Sequence, residues 1–368
     1  KVLKDFTSET SIFVIMNLSI FKTNFLNSIQ TQVTWQAPSN IALIKYWGKH
    51  GEQLPKNPSL SFTLSNCIST TALDIIPNSK GTDISFDFYF EGQSKPKFHS
   101  KIEVFFKRIL PYCPWIANHH ITINSQNSFP HSSGIASSAS AMAALASCIV
   151  AAEELSDDYA DQKASFLARL GSGSAARSIN GPITVWGATE GVKESSDFFA
   201  VPLSESDYDP IFNTYCDTIL LIDQGQKKIS STQGHQLMEN HPFGVARFKQ
   251  AFQNMEKLIK ILEEGDLDAF ISIVETEALT LHALMMTGSP NYILMHPNTM
   301  EVIQSVWNFR QETKLPVCFT LDAGANVHLL YPQKDAAQIE DWIDHKLKAF
   351  CQEGKIIKDK VGRGAKKV

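Results

Sequence analysis

Four short segments of this 368-residue chain carry residue types that chemistry requires. In the first, Asn40, Lys45, Tyr46, Trp47 and Lys49 stand at the end of a strand-like apolar run and the start of a loop. Alternation along a strand sends Lys45 and Tyr46 to opposite faces. A lysine inside an apolar strand is a candidate buried charge that needs an anionic partner, whereas Lys49 in the loop also reads as a solvated lysine. The second segment, Pro-His-Ser-Ser-Gly-Ile-Ala-Ser-Ser-Ala from Pro130 to Ala139, leads small residues into a helix. Backbone N–H groups there can close around a phosphate at the positive end of the helix dipole, with Gly134, Ala136, Ser137 and Ser138 as the contacts. The Ser137 and Ser138 hydroxyls suit phosphate oxygens, and Ser138 is a possible metal contact. No Walker A ending follows, and the same small residues would also serve tight helix packing.

In the third segment, Gly171 to Arg177, Ser172, Ser174 and Arg177 share a glycine-rich turn. The guanidinium fork suits a carboxylate or phosphate through paired hydrogen bonds; the plain alternative is a surface ion pair. In the fourth, Thr320 to Asn326, Asp322 ends an apolar strand ahead of a tight turn, either as a general base or as an Asx-turn residue. The histidines assemble no metal pattern: His119 and His120 would face opposite ways on a strand, and His131, His282 and His328 read as packing or hydrogen-bonding residues. There is no G-x-S-x-G elbow of a serine hydrolase.

These segments need elements to hold them. Val33–Tyr46 and Ser59–Leu64 read as strands flanking the turn-rich Gly48–Asn57, and Ile121–Asn124 and Ile183–Trp186 as further strands. Helices are expected from Gly134 to Leu155 and from Tyr159 to Leu170. Beyond about residue 200 come a strand at Thr218–Ile222, helices near Gly244–Glu264, Leu267–Met286 and Thr299–Thr313, strands Val317–Leu321 and Val327–Tyr331, and a helix Asp335–Phe350. This reads as two α+β domains, residues 31–205 and 206–368, behind an extension 1–30. The basic tail Lys355–Val368 reads as a solvated end.

Composition bounds the rest. With 43% hydrophobic residues the chain can bury one or two sizeable cores, so general disorder is excluded. A net charge of −5 lacks the positive field of a nucleic-acid binder, so an anionic ligand needs a local site. The six cysteines form no C-x-x-C pair and read as reduced thiols of a cytoplasmic protein. No window approaches the roughly 20 apolar residues of a membrane span. Ile12–Phe21 is interrupted by Asn17 and Ser19, and Asp5 and Glu9 spoil a signal peptide. Met16 is a candidate start, which would make the first fifteen residues an added extension.

In this order, from about residue 33 over nearly the whole chain, these segments resemble the mevalonate diphosphate decarboxylase family of the GHMP kinase superfamily. Ala37-Pro38-Ser39-Asn40-Ile41-Ala42-Leu43-Ile44-Lys45-Tyr46-Trp47-Gly48-Lys49 is similar to its N-terminal signature, and Gly134–Ala139 to its phosphate loop. Gly171-Ser172-Gly173-Ser174 with Arg177, Asp322-Ala323-Gly324, and Lys227-Lys228-Ile229-Ser230-Ser231-Thr232 complete the likeness. The resemblance implies a ribosomal S5-like N-terminal domain and a ferredoxin-like C-terminal domain around a cleft, a homodimer, and ATP and Mg²⁺ as cosubstrates. The implied reaction turns ATP and mevalonate 5-diphosphate into ADP, phosphate, CO₂ and isopentenyl diphosphate.

By the same resemblance Asp322 is the catalytic aspartate, Arg177 holds the substrate carboxylate, Asn40 orients Arg177, and Lys45 stands near the reacting centre. Ser137 and Ser138 would meet the ATP phosphates, and Tyr46, Lys49, Ser172 and Ser174 the substrate diphosphate. Three places depart from the family pattern: His50-Gly51 stands where Arg-Asp is common, His131-Ser132-Ser133 where Thr-Ala-Ala is typical, and Ala325 where proline is usual. They bear on substrate choice, since relatives acting on mevalonate 5-phosphate, or only phosphorylating the 3-hydroxyl, share most of this machinery.

Overall fold

The computed structural model describes residues 18–23, 29–78, 83–130, 135–155, 157–225 and 231–368. Gly134, and with it the start of the expected phosphate loop, lies outside these, as do residues 1–17 and Lys227 to Ser230. In chain order the first half holds β1 (Thr31–Ile44), a small hairpin of β2 (Lys49–His50) and β3 (Leu54–Pro55), β4 (Ser59–Pro77), β5 (Ser85–Phe90), β6 (Gln93–Ser94), α1 (Pro96–Ile109) and β7 (His119–Asn127). The helices α2 (Ser137–Ala152) and α3 (Asp157–Gly171) and the strands β8 (Ile183–Trp186) and β9 (Ala200–Pro202) follow.

The first sheet runs β1-β4-β7-β5-β6, with β8 paired to β4 and β9 to β8. β1 and β4 are antiparallel, Val33 opposite Leu73 and Ile41 opposite Phe62, and the register shifts between Pro38 and Asn40. Proline brings no N–H to the ladder, so the irregularity falls beside it. Along β4, Cys67, Ser69, Thr71, Leu73 and Ile75 are buried in alternation, the pattern of a half-covered sheet. Ser59–Leu64 is buried on both faces. The helix α2 lies against β1, β4 and α3, and its Ala- and Ser-rich sequence is buried nearly all round because small side chains let backbones approach closely. It begins at Ser137 rather than near Gly134, with Ala136 left-handed at φ 36° and, among the described residues, no side-chain cap at its start.

The second half holds β10 (Tyr215–Leu220), α4 (Ser231–Gln236), α5 (Gly244–Glu264), α6 (Leu267–Thr287), α7 (Pro297–Thr313), β11 (Cys318–Thr320), β12 (Val327–Pro332), α8 (Ala336–Trp342), β13 (Ile356–Lys360) and β14 (Lys366–Lys367). Its sheet runs β11-β12-β10-β13, antiparallel throughout. The expected helix Asp335–Phe350 is broken, since α8 passes into a π turn at Ile343–Leu347 and then a 3-10 turn.

The basic tail is not a solvated end: β13 pairs with β10, and β14 crosses to the first sheet to pair with Trp35 and Gln36. Buried Asp359 accepts the N–H groups of Ser65, Asn66 and Cys67 at 2.8–2.9 Å, and a Cβ at Gly364 would stand 2.1 Å from the Ile179 carbonyl. One carboxylate and a close backbone approach thus seat a segment whose net charge suggests solvent. The end of the expected extension is also integral, because Phe21 is fully buried and stacks on Phe166 at 4.5 Å. Finally, α6 is long and apolar enough by length and composition to cross a bilayer, a window the sequence reading passed over. In the fold it packs beside α5, β11 and β1, with Glu275 and Glu277 buried among its apolar residues.

Candidate active site

An open cleft of about 650 Å³ is lined by residues from both halves of the chain. Asn40, Lys45, Tyr46, Lys49, Ala136, Ser137, Ser138, Ser172, Ser174, Arg177 and Asp322 all line it, so the fold gathers on one surface residues spread over most of the chain.

Lys45 is the first residue after β1, and its Nζ lies 3.2 Å from Asp322 Oδ1. The lysine is 2% exposed and the aspartate 30%, so a buried ammonium faces a carboxylate at the cleft wall. Burial pushes the Lys45 pKa below the ordinary lysine range, and the nearby Asp322 and Glu277 charges oppose that push. Asp322 follows β11, and its carbonyl accepts from Gly324 N at 2.7 Å and from His282 Nε2 at 3.0 Å. A carbonyl only accepts, so Nε2 of His282 carries the proton; burial pushes this histidine down to about 4, keeping it neutral near pH 7.

Arg177 lies in a 3-10 turn, Gly173–Ser178, and is 2% exposed. It donates from Nε to Ser61 Oγ at 3.0 Å, from Nη1 to Ser59 Oγ at 2.6 Å and from Nη2 to Asn40 Oδ1 at 3.3 Å, and it stands over the Trp186 ring at 5.8 Å. Among the described residues no carboxylate comes within ion-pair distance of it. The surface ion-pair reading therefore falls. Burial pushes Arg177 down to about 10, which leaves it a cation at neutral pH. Asn40 turns its amide the other way, donating to Ser174 O at 3.1 Å and Ser178 Oγ at 2.8 Å, and so ties β1 to this turn.

Tyr46 packs edge-on to Trp186 at 4.6 Å and against His235 at 4.2 Å, and its buried hydroxyl has no hydrogen-bond partner among the described residues. Burial raises its pKa well above the usual range, so it is a neutral donor. Gly173 makes this possible, because a Cβ there would lie 2.8 Å from both Tyr46 Oη and Trp186. Lys49 is half-buried rather than freely solvated; it donates to Gln53 Oε1 at 3.0 Å, and burial lowers its pKa.

Ser137 and Ser138 open the first turn of α2, and Ser138 Oγ accepts from Lys101 Nζ. Beside them a second cavity of about 90 Å³ runs between Phe88, Phe90, Phe98, Met142 and Leu145. Among the described residues no group of three His, Cys, Asp or Glu side chains gathers to hold a metal. A magnesium ion carried in on phosphate oxygens needs only one or two protein oxygens, and the Ser137 and Ser138 hydroxyls are of that hard type.

Sequence reasoning missed several residues of this cleft. Lys101 and Arg108 come from α1, whose spacing of Ile102, Phe105, Phe106 and Ile109 is a helical signal. His235 enters from α4; its Nδ1 accepts the Gly48 N–H at 3.0 Å, and burial with the Lys49 and Arg177 charges pushes it down to about 3. Behind Lys45 stands a buried pair, Arg247 of α5 and Glu277 of α6.

Comparison with known proteins matches the chain to two family descriptions, "Diphosphomevalonate decarboxylase-like N-terminal domain" over residues 37–198 and "Mevalonate 5-diphosphate decarboxylase C-terminal domain" over residues 218–366. The diphosphomevalonate decarboxylase of Ganoderma lucidum is 30% identical over 333 residues, 85% of this chain and 81% of that protein. The crystal structure of mevalonate diphosphate decarboxylase from Staphylococcus aureus aligns with a TM-score of 0.79 and 29% identity, covering 92% of this chain and 98% of that one. A structure described as MDDEF in complex with MVAPP, AMPPCP and magnesium aligns with a TM-score of 0.79 and 26% identity, covering 93% and 99%. These likenesses bear out the two-domain α+β fold expected from the sequence. The chain belongs to the diphosphomevalonate decarboxylase family.

Proposed function

We propose that the cleft converts ATP and mevalonate 5-diphosphate into ADP, phosphate, CO₂ and isopentenyl diphosphate. The observation that carries the mechanism is Arg177, a buried cation held only by neutral groups, on the same surface as the Lys45–Asp322 pair. Burial of a guanidinium is expensive, the nearby Asp322 charge offsets only part of that cost, and a substrate carboxylate is an anion its fork fits.

A tertiary alcohol is both a poor nucleophile and a poor leaving group, so chemistry begins by making it a phosphate ester. Asp322 orients the 3-hydroxyl and takes its proton as the oxygen attacks the γ-phosphorus of ATP and ADP departs. The C3–O bond then breaks, phosphate leaves with the bonding pair, and the C1–C2 pair becomes the C2–C3 double bond as CO₂ departs. Arg177, oriented by Asn40, holds the carboxylate for that step, and the Lys45 ammonium offsets phosphate charge in a water-poor site.

Tyr46, Lys49, Ser172 and Ser174 form the donor set for the substrate diphosphate. Gly134, Ala136, Ser137 and Ser138 are assigned to the ATP phosphates, with Lys101 beside Ser138, and the Phe88–Phe90–Phe98 cavity fits the flat base. Ser138 would help to hold Mg²⁺ brought in with the ATP phosphates, and the ion would supply neutralisation of phosphate charge.

The test is ADP release measured side by side on mevalonate 5-diphosphate, mevalonate 5-phosphate and mevalonate. The diphosphate is expected to give the highest kcat/KM. Preference for the monophosphate would show that the cleft takes a different substrate.

A further inference from the structure

The main chain at Lys45 is held from outside its own sheet. β1 ends at Ile44, and the next N–H donates to Glu277 Oε2 at 2.9 Å, 232 positions away. The Lys45 carbonyl accepts from Arg247 Nη2 at 3.0 Å and from Asn57 Nδ2 at 3.0 Å. Arg247 and Glu277 are themselves locked as a fork, Nη1 to Oε1 at 2.7 Å and Nη2 to Oε2 at 2.6 Å, and Asn254 Nδ2 donates to Glu277 Oε1 at 2.7 Å. The two ions are 1% and 0% exposed.

We propose that Arg247 and Glu277 are a positioning pair for Lys45, through which α5 and α6 set where its ammonium stands against Asp322. The proposal rests on the role given to Lys45 above. A buried ion pair adds little net stability compared with apolar packing of the same volume. What this pair delivers instead is location: two long helices grip the N–H and the C=O of one residue just past the end of β1. Misplacement of a reacting group by about 1 Å costs on the order of a hundredfold in rate.

Glu277 has a second effect, since its charge favours the ammonium form that burial opposes. The charged and titratable groups facing Lys45 are Asp322 after β11, Glu277 and His282 on α6, Arg247 on α5, Arg177 in its turn and Asp217 on β10. His282 is neutral; the Glu277 and Asp322 charges favour the ammonium form, and removing one lowers the pH at which Lys45 loses its proton.

The experiment compares Glu277→Gln, Arg247→Lys, Asn254→Ala and Lys45→Met in the full chain, measuring kcat, both KM values, the pH profile and thermal unfolding. Glu277→Gln and Arg247→Lys are expected to lower kcat about a hundredfold with KM for ATP changed by less than about twofold. In Glu277→Gln the alkaline limb of the kcat profile moves to lower pH. Normal kcat with an unmoved limb and only a lower Tm would make the pair merely structural and overturn the proposal. Should those two variants fail to fold, Asn254→Ala loosens Glu277 without removing an ion; about a tenfold fall in kcat supports the proposal and an unchanged kcat overturns it. Lys45→Met separates the two failures: if it retains full kcat, the role of Lys45 itself was wrong, and if it is inactive while the pair variants are normal, only the positioning claim falls.

Discussion

Lys45 and Asp322 follow strands of different sheets and meet at 3.2 Å, one just past the end of β1 and the other just past β11. The contact therefore exists only when the two sheets are docked, and it joins folding of the whole chain to completion of the site.

Asp322→Asn keeps the size of the side chain but removes its charge and its basicity. The variant is expected to fold and to release ADP at least about a hundredfold more slowly, the scale for loss of a positioned acid or base. Steady-state rates alongside circular dichroism check this, and a near-normal rate would remove Asp322 from the mechanism.

Arg177→Lys keeps a cation but cannot bond Ser61, Ser59 and Asn40 together while presenting a fork. We expect kcat/KM to fall more than about tenfold, with Arg177→Ala falling at least about a hundredfold. If the lysine variant performs like the native chain, paired recognition of the carboxylate is not what this residue does.

Gly173→Ala places a methyl group 2.8 Å from Tyr46 Oη and Trp186. The ring of Tyr46 must shift, so KM for the diphosphate substrate is expected to rise, and overpacking is expected to cost about 1–3 kcal/mol in urea unfolding. Unchanged KM would mean that Tyr46 does not contact substrate.

His282 titrates near 4 when folded and near its ordinary value, about 6.5, when unfolded. Between those values the unfolded chain binds more protons, so this residue makes stability rise with pH from about 4 and level off above about 6.5. His282→Gln keeps a donor for the Asp322 carbonyl but not the titration. Chemical unfolding across that range is expected to show a shallower acid loss in the variant, and an identical slope would contradict the assignment.

Much of the site was legible because its signals are local. A lysine in an apolar strand, a small-residue run entering a helix, and an arginine among glycines and serines each stand out within ten residues. Lys101, Arg247 and Glu277 do not, since each looks like an ordinary charge on a helical face until its partner is known. The grip on Lys45 joins residues 232 positions apart, a distance no pattern window spans. The tail misled for a related reason: net charge describes Lys355–Val368 as a whole, whereas its placement depends on Asp359 reaching three N–H groups of β4.

The most direct test of the central claim is product stoichiometry with ATP and mevalonate 5-diphosphate, counting ADP, phosphate, trapped CO₂ and isopentenyl diphosphate in one reaction. The account predicts all four in equal amounts. ADP formed without CO₂ or free phosphate would show a kinase that stops at the phosphate ester, and would contradict the role given to Arg177.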